Sequence, residues 1–315
     1  MNKVYIIILN YNGWQDTVEC LESVLKSDYE SYQIIVVDNN SSDNSMAYLI
    51  KWAKEELCLW LPDKNPLKKL SFPFKKKPLN YILYSKDEAL KGGKEIEKNL
   101  KNPLVFIQSG ENRGFAAGNN IGIKYALAKD DFEYVWLLNN DTVIERNTLK
   151  NLINYANKKQ TGICGSVLKY YNEPDKIQAY GGKINKFLGT TKHLLKYNND
   201  IDYIVGASML IHKDVIKKVG LLPEDYFLYY EDVDYGFNVK RQGFKLDIAL
   251  NSIVYHKEGA STKKSDNIDF LYLKNKIKFH KKYLKNKLGL ILSITYSLIK
   301  RIKNLKHSLK CIKGD

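Results

Sequence analysis

Three stretches of this 315-residue chain carry side chains that could do chemistry. In LLNNDT, residues 137–142, an apolar run from Tyr134 to Leu138 ends abruptly in Asn139, Asn140 and Asp141. A hard divalent cation, Mg²⁺ or Mn²⁺, takes oxygen ligands, usually one or two from protein carboxylates and others from phosphate. One carboxylate flanked by amides therefore suits a metal that arrives with a diphosphate better than a permanent protein cage. In LPEDYFLYYEDVDYGFNVKRQGF, residues 222–244, Glu231, Asp232 and Asp234 open a helix expected over Val233–Gln242 and closed by Gly243. Helix electrostatics favour one acid at such a start. Three acids framed by Tyr226, Phe227, Tyr229 and Tyr230 point instead to a partly desolvated carboxylate, whose raised pKa makes it a usable general base. In NSIVYHKEGAS, His256 follows an apolar, strand-like run. Only an arrangement with Asp141 would make it a metal ligand.

Two further motifs are chemically suggestive. Asp38, in IIVVDNNSSDNS, follows an apolar run and precedes a Ser/Asn-rich turn able to cap the next helix. At a strand end its carboxylate also reaches the ligand crevice, where it could accept a hydrogen bond from a nucleobase N–H. SGENRGFAAGNNIGI joins Gly114 and Gly118 to Arg113 ahead of a helix. Small residues let backbone approach a ligand closely, and the guanidinium suits phosphate. The spacing is neither G-x-G-x-x-G nor G-x-x-x-x-G-K, which disfavours a nicotinamide enzyme and a P-loop kinase.

The elements that must position these groups alternate regularly. Apolar, β-branched runs at Val4–Leu9, Gln33–Val37, Leu104–Ile107 and Tyr134–Leu138 are each followed by an amphipathic stretch: Asp16–Lys26, Asn44–Glu56, Ala116–Ala128 and Glu145–Lys158. Strands apolar on both faces, separated by helices, predict a parallel sheet covered on both sides. Such sheets bind ligands beyond the carboxyl ends of their strands. NYNG, DNNSSD, ENRGFAAGNN and NNDT all follow strands and so fall there. A Lys-, Pro- and aromatic-rich stretch over about 59–101 interrupts the rhythm as an insertion.

Composition narrows the class. The net charge of +15 resembles a nucleic-acid signature until it is located: thirteen of the 50 Lys/Arg lie between Lys274 and Lys313 with no Asp or Glu, leaving 37 basic against 35 acidic residues elsewhere. The excess is a tail property with no aromatic-basic RNA-binding motif, so no nucleic-acid partner is expected. Cys20, Cys58, Cys164 and Cys311 form no C-x-x-C pair, which reads as a reducing, cytoplasmic chain. The apolar run at the start is too short for a signal peptide. Leu288–Ile299, twelve residues between lysines, is short of the ~20 needed to span a bilayer. Leu290, Ile294, Leu298 and Ile302 share one helical stripe, with Lys303, Lys306 and Lys310 off it, as an interfacial helix on anionic lipid would have. A helix packed on the domain with a solvated basic face is the alternative.

With these motifs in this order, the chain resembles family 2 glycosyltransferases of the GT-A fold, particularly the bacterial rhamnosyl- and galactofuranosyl-transferase-like members. The resemblance runs from about Lys3 to Ser261 outside the insertion. It implies an α/β, Rossmann-like, mostly parallel sheet flanked by helices, forming a catalytic domain over 1–262, and a basic helical extension over 263–315. It implies that Asn10, Tyr11, Asp38 and Asn40 hold the nucleotide, with Arg113, Asn139, Asn140 and Glu231 also on the donor. The family's D-x-D metal motif matches Asn139–Asp141 with its first acid replaced by Asn, so Asp141 is the implied carboxylate ligand of Mg²⁺ or Mn²⁺. The family's ED motif falls on Glu231 and Asp232, and its second acid is the general base. A downstream histidine, here His256, completes the metal site in several members. Val205–Ile211 resembles the segment lining the sugar pocket, with Gly206 and Ala207 keeping room.

The implied activity is inverting transfer of a sugar from a UDP- or dTDP-linked donor to a saccharide acceptor. A lipid-linked acceptor at the inner face of the cell membrane fits the basic C-terminal helix. A sugar-nucleotide pyrophosphorylase would need a Gly-rich loop with Arg and Lys after the first strand, where this chain has NYNGW. A non-catalytic membrane-associated scaffold is the other alternative, motivated by the missing first acid of the metal motif.

Overall fold

The structure, a computed structural model, describes residues 2–59, 62, 64–100, 102–257 and 268–297. The expected boundary at 262/263, Leu298, Ile302, the lysines beyond them and Cys311 lie outside the described residues. Among the described residues twelve strands run in chain order: β1 (Val4–Asn10), β2 (Tyr32–Asp38), β3 (Tyr81–Ser85), β4 (Leu104–Gln108), β5 (Tyr134–Asn139), β6 (Thr142–Ile144), β7 (Ile163–Tyr170), β8 (Ile177–Ala179), β9 (Gly182–Ile184), β10 (Thr191–His193), β11 (Ser208–His212) and β12 (Leu246–His256). The main sheet follows the order β3-β4-β2-β1-β5-β11-β7-β12-β6, with β8 beside β7; β9 and β10 form a separate antiparallel pair. From β3 to β5 every pairing is parallel. β11 runs antiparallel to β5 and β7, and β6 antiparallel to β12.

The alternation of side chains along each strand divides the core in two. Val4, Ile6, Ile8, Val36, Phe106 and Trp136 face one way, toward α1 (Trp14–Val24), α2 (Ser45–Lys54) and, later in the chain, the helix Thr148–Lys159. Tyr5, Ile7, Ile35, Val37, Ile107 and Leu137 face the other way, toward the helices Phe115–Lys129, Lys213–Val219 and Glu231–Arg241. Both faces being covered is why the strands carry continuous apolar runs. Each such side chain, fully buried, contributes about 1.5–3 kcal/mol. In chain order α3 (Lys68–Ser71) and α4 (Lys86–Leu90) come next, so the four just named after α2 become α5 (Phe115–Lys129), α6 (Thr148–Lys159), α7 (Lys213–Val219) and α8 (Glu231–Arg241), followed by α9 (Ile268–Phe279). α8 begins at Glu231, two residues earlier than expected, so the acids lie inside its first turn.

The stretch 59–101 is more integrated than its composition suggests. It contributes α3, α4 and β3, and β3 extends the parallel sheet beyond β4. Its remainder docks on two acids of α1. Glu22, wholly buried, accepts from the Lys77 ammonium at 2.6 Å, the Lys75 amide at 2.7 Å and the Trp52 indole N–H at 2.9 Å. Glu19 accepts from Asn65 at 2.9 Å and from the Tyr171 hydroxyl at 2.7 Å. A buried ion pair is tolerable only when further hydrogen bonds satisfy it, as here.

The end of the described chain packs on the body. α9 continues through a π-helical turn, His280–Leu284, into a helix over residues 287–297. Lys276 joins the two, donating to the Ser293 carbonyl at 3.1 Å. The apolar stripe expected at Leu290 and Ile294 is half-buried, whereas Leu288, Ile291, Leu292 and Tyr296 are exposed. The outward apolar face is therefore displaced around the helix, because Gly289 and Ser293 turn inward. No helix among the described residues is long and apolar enough to cross a membrane.

Candidate active site

The carboxyl ends of β1, β2 and β5 bring the first groups together. β1 and β2 pair in register through Asn10 and Asp38, and β1 pairs with β5 so that Leu9 lies opposite Asn139. The Asn10 amide donates to Asp38 Oδ1 at 2.7 Å, and Ser41 donates to the same carboxylate through its hydroxyl at 2.6 Å and its backbone N–H at 3.1 Å. Asp38 thus closes the turn and also stands at the strand end. Asn10 is wholly buried, and its Oδ1 accepts from the Thr17 hydroxyl at 2.8 Å, so it aims Asp38 and has no exposed surface for a ligand. Tyr11 and Asn40, which follow the two strands, are exposed.

Across the NND turn the three side chains diverge in role. Asn140 turns its amide nitrogen onto α1, donating to Thr17 Oγ1 at 3.0 Å and to the Gly13 carbonyl at 3.3 Å. Its N–H groups lock the turn to the helix and are spent there. Asp141, 7 % exposed, places Oδ1 3.2 Å from His256 Nε2, and Asn139 Nδ2 lies 3.5 Å from the same nitrogen. β12, parallel to β7 with a register shift between Ala249 and Ile253, delivers the imidazole. Burial raises the Asp141 carboxyl, but the facing imidazole and the Lys257 ammonium outweigh it and hold the group below the ordinary aspartate value.

Gln178 of β8, which sequence reasoning missed, stands behind the imidazole with Oε1 2.9 Å from Nδ1. With a cation bound, a proton on Nδ1 shared with Gln178 would leave the Nε2 lone pair to the metal, the arrangement that orients metal-ligating histidines. The short strand IQA carries no periodicity that could have marked it. Asp141 and His256 fit a hard divalent cation whose remaining ligands are phosphate or water oxygens. Among the described residues no three His, Cys, Asp or Glu groups gather around one point, so the protein supplies only part of a coordination shell.

The link to the acidic cluster runs through residues 206–207. The Ala207 carbonyl accepts from the Asn139 N–H at 3.1 Å, and the adjacent Gly206 N–H donates to Asp232 Oδ2 at 3.1 Å. A Cβ on Gly206 would stand 3.4 Å from the Phe115 ring and 3.7 Å from Asp232 Cβ. Asp232 and the backbone of Asn139 thus bond to the consecutive residues 206 and 207. Asp232 is half-buried, and its other oxygen accepts from the Val233 N–H at 2.8 Å. Burial raises its pKa against these two backbone donors. Glu231, 5 % exposed, has an Oε2 without a hydrogen-bond partner, and burial followed by the Asp232 charge pushes it well above the usual glutamate range. Of the two, Asp232 is the better stabilised anion and Glu231 the better proton holder.

Other expectations give way to internal packing. Asp234, expected with the pair, accepts from the Tyr226 hydroxyl at 2.8 Å, the Tyr283 hydroxyl at 2.7 Å and the Lys282 ammonium at 2.8 Å, so it ties the C-terminal helices to α8. Gly114, with φ 93°, serves the chain and no ligand: a Cβ there would lie 2.1 Å from the Phe227 carbonyl. Gly118 lets α5 sit on Leu9, where a Cβ would come within 2.4 Å. Arg113 is largely exposed and lies 3.8 Å from Glu224. Among the described residues no ion pair or hydrogen bond joins it to Asp141 or Asp232.

Comparison with known proteins follows the same ground. Residues 5–65 and 84–220 match the sequence profile described as glycosyl transferase family 2. The unmatched stretch between them falls inside the insertion. The low-salt glycan biosynthesis hexosyltransferase Agl10 of Haloferax volcanii is 26 % identical over 151 residues, 45 % of this chain and 48 % of that protein. The chain thus spans about half the length of that relative. The rhamnosyltransferase WbbL of Escherichia coli (strain K12) is 25 % identical over 260 residues, 77 % of this chain and 79 % of that one. The mannosyltransferase PcManGT from Pyrobaculum calidifontis, solved with GDP-Man and Mn²⁺, shares the fold at a TM-score of 0.56 and 14 % identity, covering 90 % of this chain and 64 % of that one.

Proposed function

Because this chain belongs to glycosyl transferase family 2, we propose that it transfers a sugar from a UDP- or dTDP-linked donor to a hydroxyl of a saccharide acceptor, with inversion at the anomeric carbon. The observation that supports this reading is the hydrogen-bonded path from the Asp232 carboxylate through Gly206 and Ala207 to the backbone of Asn139, the residue that opens the turn carrying Asp141 and its partner His256. Asp38 accepts from an N–H of the base, with Tyr11 and Asn40 at the rim. Asp141 and His256 would hold Mg²⁺ or Mn²⁺, and the bound cation would supply charge neutralisation for a departing diphosphate. The mannosyltransferase PcManGT, whose fold this chain shares, was solved with Mn²⁺, which is consistent with such a metal.

Asp232 takes the proton from the acceptor hydroxyl as its oxygen bonds to the anomeric carbon. The bond from that carbon to the diphosphate oxygen breaks on the opposite face, and the nucleoside diphosphate leaves with the electron pair. One displacement with the base opposite the leaving group inverts the centre. Gly206 and Ala207 line the sugar, Glu231 holds its proton beside the base, and Arg113 is within the donor loop but would have to leave Glu224 to reach phosphate. Incubation with Mn²⁺ and a panel of sugar nucleotides tests the reading. Slow release of nucleoside diphosphate supports it, pyrophosphate-dependent formation of a nucleoside triphosphate would make the chain a pyrophosphorylase, and neither would leave a non-catalytic scaffold.

The Gln178 contact gives a second test. Outer-shell partners of metal-bound histidines are worth about 10–100-fold in metal affinity. Gln178→Ala should therefore weaken Mn²⁺-dependent nucleotide binding by about that factor, measured by calorimetry at fixed Mn²⁺, while metal-free nucleotide binding is unchanged.

The exposed Leu288, Ile291, Leu292 and Tyr296, flanked by Lys281, Lys285 and Lys287, support a peripheral seat on an anionic membrane at the cytoplasmic face, with a lipid-linked acceptor. Ile291→Glu combined with Leu292→Glu should lower partitioning onto phosphatidylserine vesicles by about tenfold or more, given ~0.8 kcal/mol for each buried CH₂ lost. Unchanged co-sedimentation would rule out this face as the contact.

A further inference from the structure

The turn that presents Asp232 is held from outside the catalytic sheet. Tyr229 and Tyr230 are both left-handed, with φ 69° and 74°, and lead directly into Glu231 and Asp232. Side chains with a Cβ rarely adopt this conformation, and it persists only where the surroundings impose it. Tyr230 is also the N-cap of α8, yet it has neither the extended backbone nor the side-chain cap bond that usually starts a helix.

α9 supplies the constraint. Asn275, 2 % exposed, donates from its amide to the Leu228 carbonyl at 2.8 Å and to the Tyr229 carbonyl at 2.9 Å. Two successive peptide planes are thereby fixed immediately before the N-cap. The Tyr230 ring packs on Tyr272 and Phe279, at centroid distances of 5.1 and 5.9 Å, and its hydroxyl donates to the Gly189 carbonyl at 2.9 Å. Burying an amide on a helix is unfavourable unless its donors are satisfied, and here both are spent on the turn.

We propose that Asn275 is a positioning residue for sugar transfer: by fixing the Leu228–Tyr229 backbone it sets the place of Asp232 beside Gly206. The proposal rests on Asp232 being the general base. It makes the C-terminal extension part of the apparatus that aligns the base, in addition to any contact it makes with lipid.

A double-mutant cycle in the full chain tests it, with kcat, donor KM and nucleoside diphosphate affinity measured for Asn275→Ala, Asp232→Asn and the double variant. A displacement near 1 Å costs up to about 10²-fold, so Asn275→Ala should lower kcat by about 10–100-fold. Donor KM and nucleoside diphosphate affinity should stay within about twofold, because β1, β2 and β5 carry the donor side. In the Asp232→Asn background the same change should have no further effect, since its route is already removed. Asn275→Gln, which keeps both amide donors on a longer arm, should recover part of the loss, and it carries the cycle if Asn275→Ala does not fold. Unchanged kcat in Asn275→Ala, or an equal loss in both backgrounds, would overturn the proposal while leaving the base in place. Full activity in Asp232→Asn alone would instead remove the base, and the positioning role with it.

Discussion

Asp232→Asn is expected to lower sugar transfer by about 10²–10⁴-fold, the range general-base assistance supplies. The substitution keeps the size of the side chain and one oxygen to accept from Gly206 or Val233, so the start of α8 should persist. What is lost is the ability to take the acceptor proton. Nucleoside diphosphate affinity should be retained, because Asp38, Asn10 and the Asp141–His256 pair stand on elements other than α8. The pH profile gives an independent check. Burial raises the Asp232 pKa above the ordinary 3.8, and the base acts as the carboxylate. Activity should therefore be full above the raised pKa and fall as pH is lowered through it, at a higher pH than a solvent-exposed aspartate would give. That acid limb should be missing from the residual activity of Asp232→Asn. Wild-type turnover by the variant would mean that another group takes the proton.

The second large effect is expected at Asp141. Asp141→Ala should abolish the Mn²⁺ dependence of nucleotide binding and weaken binding at saturating Mn²⁺ by at least about 10²-fold, since losing a ligand exceeds the 10–100-fold of an outer-shell partner. The reason is the small donor set. Asp141 is the one carboxylate facing His256 among the described residues, so no neighbouring acid can replace it. The replacement of the expected first acid by Asn139 sharpens this dependence. Calorimetric titration of UDP or dTDP with and without Mn²⁺ measures it, and a variant that keeps the wild-type Mn²⁺ response would show that the cation is held elsewhere.

The sheet is legible because burial on both faces leaves an unmistakable pattern: the apolar runs at Val4, Gln33, Leu104 and Tyr134 mark four of the five strands in the parallel run from β3 to β5. β3 was hidden in the Lys-rich insertion, because an edge strand buries less and its YILYS sequence carries little contrast. Polar groups at strand ends were legible as a cluster, since the topology of an open sheet dictates where loops gather. Their individual partners were not. Asp234 looks like its neighbours Glu231 and Asp232 until Lys282 and Tyr283, about fifty positions away, are seen to claim it. Lys77 reads as one more surface lysine until Glu22 is found beneath it. Gly114 and Gly118 suggested a ligand cradle, yet their missing side chains make room for the Phe227 backbone and Leu9. Local composition reports that a group is unusual; only the fold reports what it touches.

Anomalous diffraction from crystals grown with Mn²⁺ and a non-transferable sugar nucleotide would test the common crevice most directly. A manganese peak is expected at bonding distance from Asp141 and His256, next to the diphosphate, with the Asp232 carboxylate facing the anomeric carbon from the side opposite the leaving oxygen. A manganese peak away from Asp141, or a donor whose sugar points away from Asp232, would contradict it.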